Sequence, residues 1–196
     1  MVISRTKLVS LVLAGVCVAG VVVAATLLMT RQSATANSDE TAAITTSKTD
    51  RQTGPSGLPV PRYVSLKTDR VNVRRGPSTE HQVIWVFAKQ GLPVEIIAES
   101  DLWRRVRDSD GEEGWVYHTL LAGRRTGLVA PWSKGENVSL RDGPKKSAQT
   151  VAIVQTGVIG EVLRCTGKWC EFSANGYNGW LKQDMLWGVY PDEKIE

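Results

Sequence analysis

The chain has 196 residues, 42% of them hydrophobic and 22% charged, and a formal net charge of +4. Arg5, Lys7 and Arg31 precede every acidic residue, and beyond Ala36 21 basic residues face 20 acidic ones, so the folded part offers no general electrostatic case for nucleic acid. About 135 residues remain beyond an apolar start and a polar stretch, which makes one ordinary domain or two very small ones, and small units rarely hold the deep pocket that catalysis favours.

In chain order, Leu8 to Met29 is 22 residues without a charge. As a helix it spans about 33 Å, enough for a hydrocarbon core of about 30 Å. Arg5 and Lys7 ahead of it keep the N-terminus in the cytoplasm and send the remainder to the far side. Residues 1–30 therefore read as a transmembrane or signal helix. Residues 8–29 either anchor the chain in the inner membrane or are removed as a signal peptide after Ala36, where Ala34-Thr35-Ala36 is a small-x-small site. Cys17 reads as a buried membrane thiol, because the bulky Val16 before it argues against lipid attachment. Residues 31–61, rich in Ser, Thr, Ala and Gly, read as a disordered linker.

The remainder is written twice. Val71-Asn72-Val73-Arg74-Arg75-Gly76-Pro77 recurs as Val138-Ser139-Leu140-Arg141-Asp142-Gly143-Pro144, Glu95-Ile96-Ile97 as Glu161-Val162-Leu163, and Trp103 as Trp169. Gly114-Trp115-Val116 recurs as Gly179-Trp180-Leu181, and Leu120-Leu121-Ala122-Gly123 as Met185-Leu186-Trp187-Gly188. Alternation of apolar and polar residues marks Trp103 to Arg107 and Trp169 to Phe172 as half-buried strands. Asp108-Ser109-Asp110-Gly111 and Asn175-Gly176 supply hairpin turns, and Gly114 to Tyr117 and Gly179 to Lys182 are the returning strands. The fold class is all-β: two tandem small β-barrels, one over 62–124 and one over 137–191, packed close together because the 125–136 linker is short and contains the apolar Leu128-Val129-Ala130-Pro131-Trp132.

The run Val-x-Val-Arg-x-Gly-Pro, then a glycine and a β-rich run, then Trp, then Gly-Trp-Val resembles the bacterial Src homology 3 domain. The resemblance covers about Tyr63 to Gly123 and Asn137 to Gly188; Leu140 and Leu181 stand at valine positions in the second copy. Cys165-Thr166-Gly167-Lys168-Trp169-Cys170 and the ending Leu186-Trp187-Gly188-Val189-Tyr190-Pro191 are similar to a two-module periplasmic subfamily whose function is not established. The resemblance implies a binding or targeting module, often for cell-wall peptides, and by itself no activity.

Cys165 and Cys170 flank a four-residue loop at an expected hairpin. Directly paired residues of antiparallel strands lie within disulfide reach, and the compartment beyond the membrane is oxidising, so a disulfide is expected. Zinc lacks ligands, since only His81 and His118 accompany the cysteines; Asp108, Asp110, Glu112 and Glu113 do not have the ladder of a calcium loop, and no activated nucleophile is legible. No metal, cofactor or catalytic residue is expected. The candidate ligand-binding residues are Arg74, Trp103, Trp115, Tyr117, Arg141, Trp169 and Trp180. The four tryptophans form either the core or an aromatic groove, and the two arginines either hold down the long loop or clamp a carboxylate or phosphate. Arg104, Arg105, Arg107, Arg124 and Arg125 form a local basic patch. The reading is a non-catalytic envelope protein on the periplasmic side that binds peptidoglycan through its modules. A scaffold for another envelope protein is the alternative and a wall hydrolase the third.

Overall fold

Strand by strand, the alternation sets which residues turn inward. The computed structural model describes residues 52–196. The helix expected over 1–30, the site after Ala36 and the linker up to residue 51 lie outside the described residues. The strands are β1 (Gln52–Thr53), β2 (Pro59–Val60), β3 (Arg62–Leu66), β4 (Val71–Arg74), β5 (Val83–Phe87), β6 (Pro93–Ser100), β7 (Trp103–Arg107), β8 (Glu113–Tyr117) and β9 (Leu121–Ala122). They continue with β10 (Thr126–Val129), β11 (Asn137–Arg141), β12 (Thr150–Gln155), β13 (Ile159–Thr166), β14 (Trp169–Ala174), β15 (Tyr177–Lys182), β16 (Leu186–Trp187) and β17 (Lys194–Ile195).

The duplication is carried into the topology. The first sheet has the order β5-β4-β8-β7-β6-β3-β9 and the second β12-β11-β15-β14-β13-β10-β16, with β17 added beside β13. Pairing slips at Val73/Arg74 and at Ile96/Ala98 in the first copy, and at Leu140/Arg141 and Val162/Arg164 in the second, so both bulges recur at matched places. A 3-10 turn precedes β9 in the first sheet and β16 in the second, at His118–Leu120 and Gln183–Met185. The glycine of the Gly-Trp motif is required by close packing: a β-carbon at Gly114 would run into Val73 Cγ1, and one at Gly179 would meet Leu140 Cβ at 2.8 Å.

Each copy has its own core. Val64, Leu66, Val71, Val73, Val94, Ile96, Val106 and Val116 fill the first; Val138, Leu140, Val162, Phe172, Leu181 and Leu186 fill the second. Volume is exchanged between them. Phe172 stands where Val106 does, and the facing pair Val64–Val94 becomes Gly127–Gly160. A β-carbon at Gly160 would strike the Phe172 ring, and one at Gly127 would sit 3.4 Å from it. The larger ring thus fits because two side chains on the neighbouring strands are absent.

A second exchange occurs at the tip of the long hairpin. In the first copy Glu99 pairs with Arg104 across the strands, and their side chains form a buried ion pair at 3.1 Å. At the matching rung of the second copy Cys165 pairs with Cys170, and the two are joined by the expected disulfide.

Three expectations are corrected. Neither sheet closes into a ring: β5 and β9 are edges of the first, and β12 and β16 end the strand order of the second, so the modules are open, curled sheets rather than closed barrels. The segment read as the 125–136 linker contains β10, the first strand of the second module, because Leu128-Val129 is buried against β13 and β16. The end of the 31–61 linker is ordered: β1 and β2 form a hairpin docked on Glu99, whose carboxylate accepts from the Ser56 N–H and hydroxyl at 2.8 Å each and from Arg62 at 2.7 Å. Burial pushes the Glu99 carboxyl up, but those hydrogen bonds outweigh it and hold it below the usual carboxylate value.

Candidate functional site

The matched arginines are occupied. The Arg74 guanidinium donates to the carbonyls of Thr79 and His81, at 2.9 and 2.6 Å, and that of Arg141 to Ala148 at 2.8 Å. Both pin the long loop that follows their strand. The arginines of the basic patch are likewise paired, Arg105 and Arg107 with Glu113, Arg124 with Glu161 and Arg125 with Glu193. These ion pairs all use arginine, whereas Lys145, Lys146, Lys168 and Lys182 are exposed.

Of the candidate aromatics, Trp103 is 8% exposed, with its edge against the Tyr117 ring at 5.4 Å, and Trp180 is 7% exposed beneath the Arg164 guanidinium at 4.9 Å. Trp115 is half-buried, its backbone paired with Arg74 and Arg105. Trp169 differs. At the position of Tyr117, the second copy has Lys182, whose backbone pairs with Trp169 as that of Tyr117 pairs with Trp103. The ring that covers Trp103 thus has no aromatic counterpart over Trp169, which is half-buried and lines a groove of about 800 Å³.

Trp132 and Trp187 also line this groove, with Tyr63 of the first copy beside them. Trp187 is fixed from behind: its indole N–H donates to Pro93 O at 3.2 Å, and Tyr63 meets its ring edge-on at 5.2 Å. Tyr63 also packs on Tyr190 at 4.7 Å. Burial, then the neighbouring Glu95 carboxylate, raise the Tyr63 phenol well above its ordinary pKa against the opposing pull of Arg125, so the wall stays neutral. Thr126 Oγ1 donates to Gly91 O at 2.7 Å and Tyr190 Oη to Glu95 at 3.0 Å, so the two modules meet through hydrogen bonds. Trp132, 57% exposed, stands at the mouth.

The remaining lining carries charge. Lys145 and Lys146 come from the long loop, Lys168 from the disulfide-closed hairpin and Lys182 from the end of β15, against the acids Asp184 and Asp192. In the first copy the equivalent positions are Ser78, Thr79, Leu102 and Tyr117. The seven candidates named from sequence are therefore not brought together. Only Trp169 of the seven reaches the groove, whose other residues were not among the ligand-binding candidates; the signal available was the difference between the copies, four gained lysines and a lost tyrosine, rather than their likeness. A smaller hollow of about 310 Å³ in the first copy is lined by Leu58, Arg62, Arg104 and His118. Chemically, the large groove presents flat apolar faces ringed by ammonium groups, an arrangement for holding an anionic ligand.

No curated protein matches the chain. Among solved structures, it is similar to NlpC2 from Trichomonas vaginalis, at 14% identity and a TM-score of 0.30 over 65% of this chain and 48% of that one. It is also similar to NlpC1 from Trichomonas vaginalis, at 15% identity and a TM-score of 0.30 over 69% of this chain and 48% of that one. The chain spans about half the length of each. The profile of the bacterial SH3 domain matches twice, over residues 67–123 and 134–188, each range covering most of one of the two sheets just described. These matches take in more than half of the chain, which thus belongs to the bacterial SH3 domain family as a tandem pair of modules.

Proposed function

We propose that this chain is a non-catalytic envelope protein that binds cell-wall peptide or glycan, and that the groove of its second module does the binding. The observation that carries the reading is the groove itself: Trp132, Trp169 and Trp187 exposed to a ligand in a module whose equivalent first-copy tryptophan is covered. Bacterial SH3 modules commonly bind wall components, which supports the same ligand class. The apolar segment 8–29 holds the chain at the inner membrane, or releases it if cut after Ala36, with the modules on the periplasmic side. The disulfide suits that oxidising compartment. The test is sedimentation of the full chain, held in nanodiscs, with purified peptidoglycan. Co-sedimentation that is lost on Trp169→Ala is the expected result; no co-sedimentation of the native chain at any wall concentration overturns the reading. A second reading, an interaction scaffold, is favoured by Val151 and Ile153, 47% and 65% exposed on the edge strand β12. A photocrosslinker at position 153 that traps one envelope protein in cells would support it.

A further inference from the structure

The proposed wall reading leaves open which part of the wall enters the groove, and the inference here rests on that reading. From the charge and hydrogen-bonding of the groove we infer that its ligand is a carboxylate-bearing peptide rather than a neutral glycan. Four lysines border the groove from three separate elements, while only Asp184 and Asp192 oppose them. A neutral sugar has no use for those ammonium groups, whereas an extended peptide with carboxylates along its length and at its end meets them on both sides. Lysine is a compact point charge with rotatable donors, suited to carboxylates at variable places along a chain, where arginine would demand a fixed planar fork.

A second observation concerns Gln183 in the 3-10 turn at the groove floor. It is 5% exposed and its amide N–H₂ donates to Tyr190 O at 2.7 Å and Glu193 O at 3.0 Å, which fixes the orientation of the carboxamide. Its Oε1 is then a buried acceptor with no hydrogen-bond partner among the described residues. Covered as it stands, this acceptor is met by a ligand N–H only when the turn carrying it shifts toward the groove, and a peptide backbone carries such a donor at nearly every residue. Trp169 and Trp187 supply faces for an apolar side chain between the charged ones. Tyr63 makes the groove a property of the tandem pair, since the second module alone would lack that wall.

The experiment uses the full chain in nanodiscs of zwitterionic lipid, with tryptophan fluorescence as the readout. Three probes are titrated: an acetylated pentapeptide with two glutamates and a free C-terminal carboxylate, the same peptide with every carboxylate converted to amide, and a neutral chito-oligosaccharide. The acidic peptide binds, the amidated one at least about tenfold more weakly, and the sugar more weakly still. Neutralising Lys145, Lys146, Lys168 and Lys182 to glutamine, all exposed and outside the core, reduces acidic-peptide binding by about tenfold or more, since each exposed pair contributes up to about 1 kcal/mol. The control Lys67→Gln/Lys89→Gln, with both sites exposed on the first copy, leaves it unchanged. Equal binding of the acidic and amidated peptides, or full binding by the four-lysine variant, overturns the inference. If peptidoglycan sediments equally with the native and four-lysine proteins, the inference fails and the wall reading stands. If the acidic peptide binds but peptidoglycan does not, the inference stands and the wall reading fails.

Discussion

Phe172 offers a quantitative test of how the second copy departs from the first. The ring is fully buried, and Val106 occupies the same place in the first module. Phe172→Val removes four carbons; at about 0.8 kcal/mol for each the loss is about 3 kcal/mol, with a further cavity cost if the neighbours do not close in. The space vacated lies beside Gly127, where a β-carbon would sit 3.4 Å from the ring, 3.1 Å from Leu186 and 3.2 Å from Val162, all of them side-chain atoms that can shift. Gly160 is the poorer site to fill, since a β-carbon there would also run into the Ser173 carbonyl. Gly127→Val in the native background should therefore destabilise by about 1–3 kcal/mol through overpacking. In the Phe172→Val background it should instead restore at least about 1 kcal/mol, giving a strong coupling between the two sites. Urea unfolding of residues 52–196, which hold both cores, measures the four corners of this cycle. Equal destabilisation by Gly127→Val in both backgrounds would refute the volume exchange.

Glu99→Gln should cost about 3 kcal/mol, because Arg62 and Arg104 are left partly buried without their partner, and limited proteolysis should then cut within 52–60. The Glu99 carboxyl is lowered in the fold, so its contribution is fully present above the ordinary glutamate value of about 4.3 and is lost as pH falls through the lower folded value; acid titration should release the same hairpin, and protection that persists in strong acid would contradict this. Reduction of Cys165–Cys170 should cost about 2 kcal/mol by the chain-entropy account, read as a lower midpoint of denaturation with reductant. Trp187→Ala removes the hydrogen bond to Pro93 O and the edge contact with Tyr63, and should split one unfolding transition into two by calorimetry. Lys182→Tyr should cover Trp169 as Tyr117 covers Trp103, shifting tryptophan emission to the blue and abolishing ligand binding.

The duplication made the modules legible, since matched Val-x-Val-Arg, Gly-Trp and hairpin turns recur with their bulges and 3-10 turns. The cysteine pair was legible too, because strand pairing fixes which residues face each other. Sheet closure was not, as curl and edge pairing depend on contacts that no single strand encodes. Leu128-Val129 read as an apolar linker because a four-residue strand carries too few alternations to be told from one. The hairpin at 52–60 was hidden in a polar composition, its order coming from a carboxylate more than forty residues away. The groove was least legible: Lys145, Lys168 and Lys182 are distant along the chain, each unremarkable alone, and attention to what the copies share drew the eye to Trp103, Trp115 and Trp180, which the fold uses largely for packing.

Fluorine NMR of the full chain labelled with fluorotryptophan resolves seven indoles and tests the location of binding directly. On titration with soluble peptidoglycan fragments, the resonances of Trp132, Trp169 and Trp187 should move together and saturate, while those of Trp103, Trp115 and Trp180 stay in place. Movement centred on Trp103 and Trp115, or no movement at millimolar fragment, would contradict the assignment of capture to the second module.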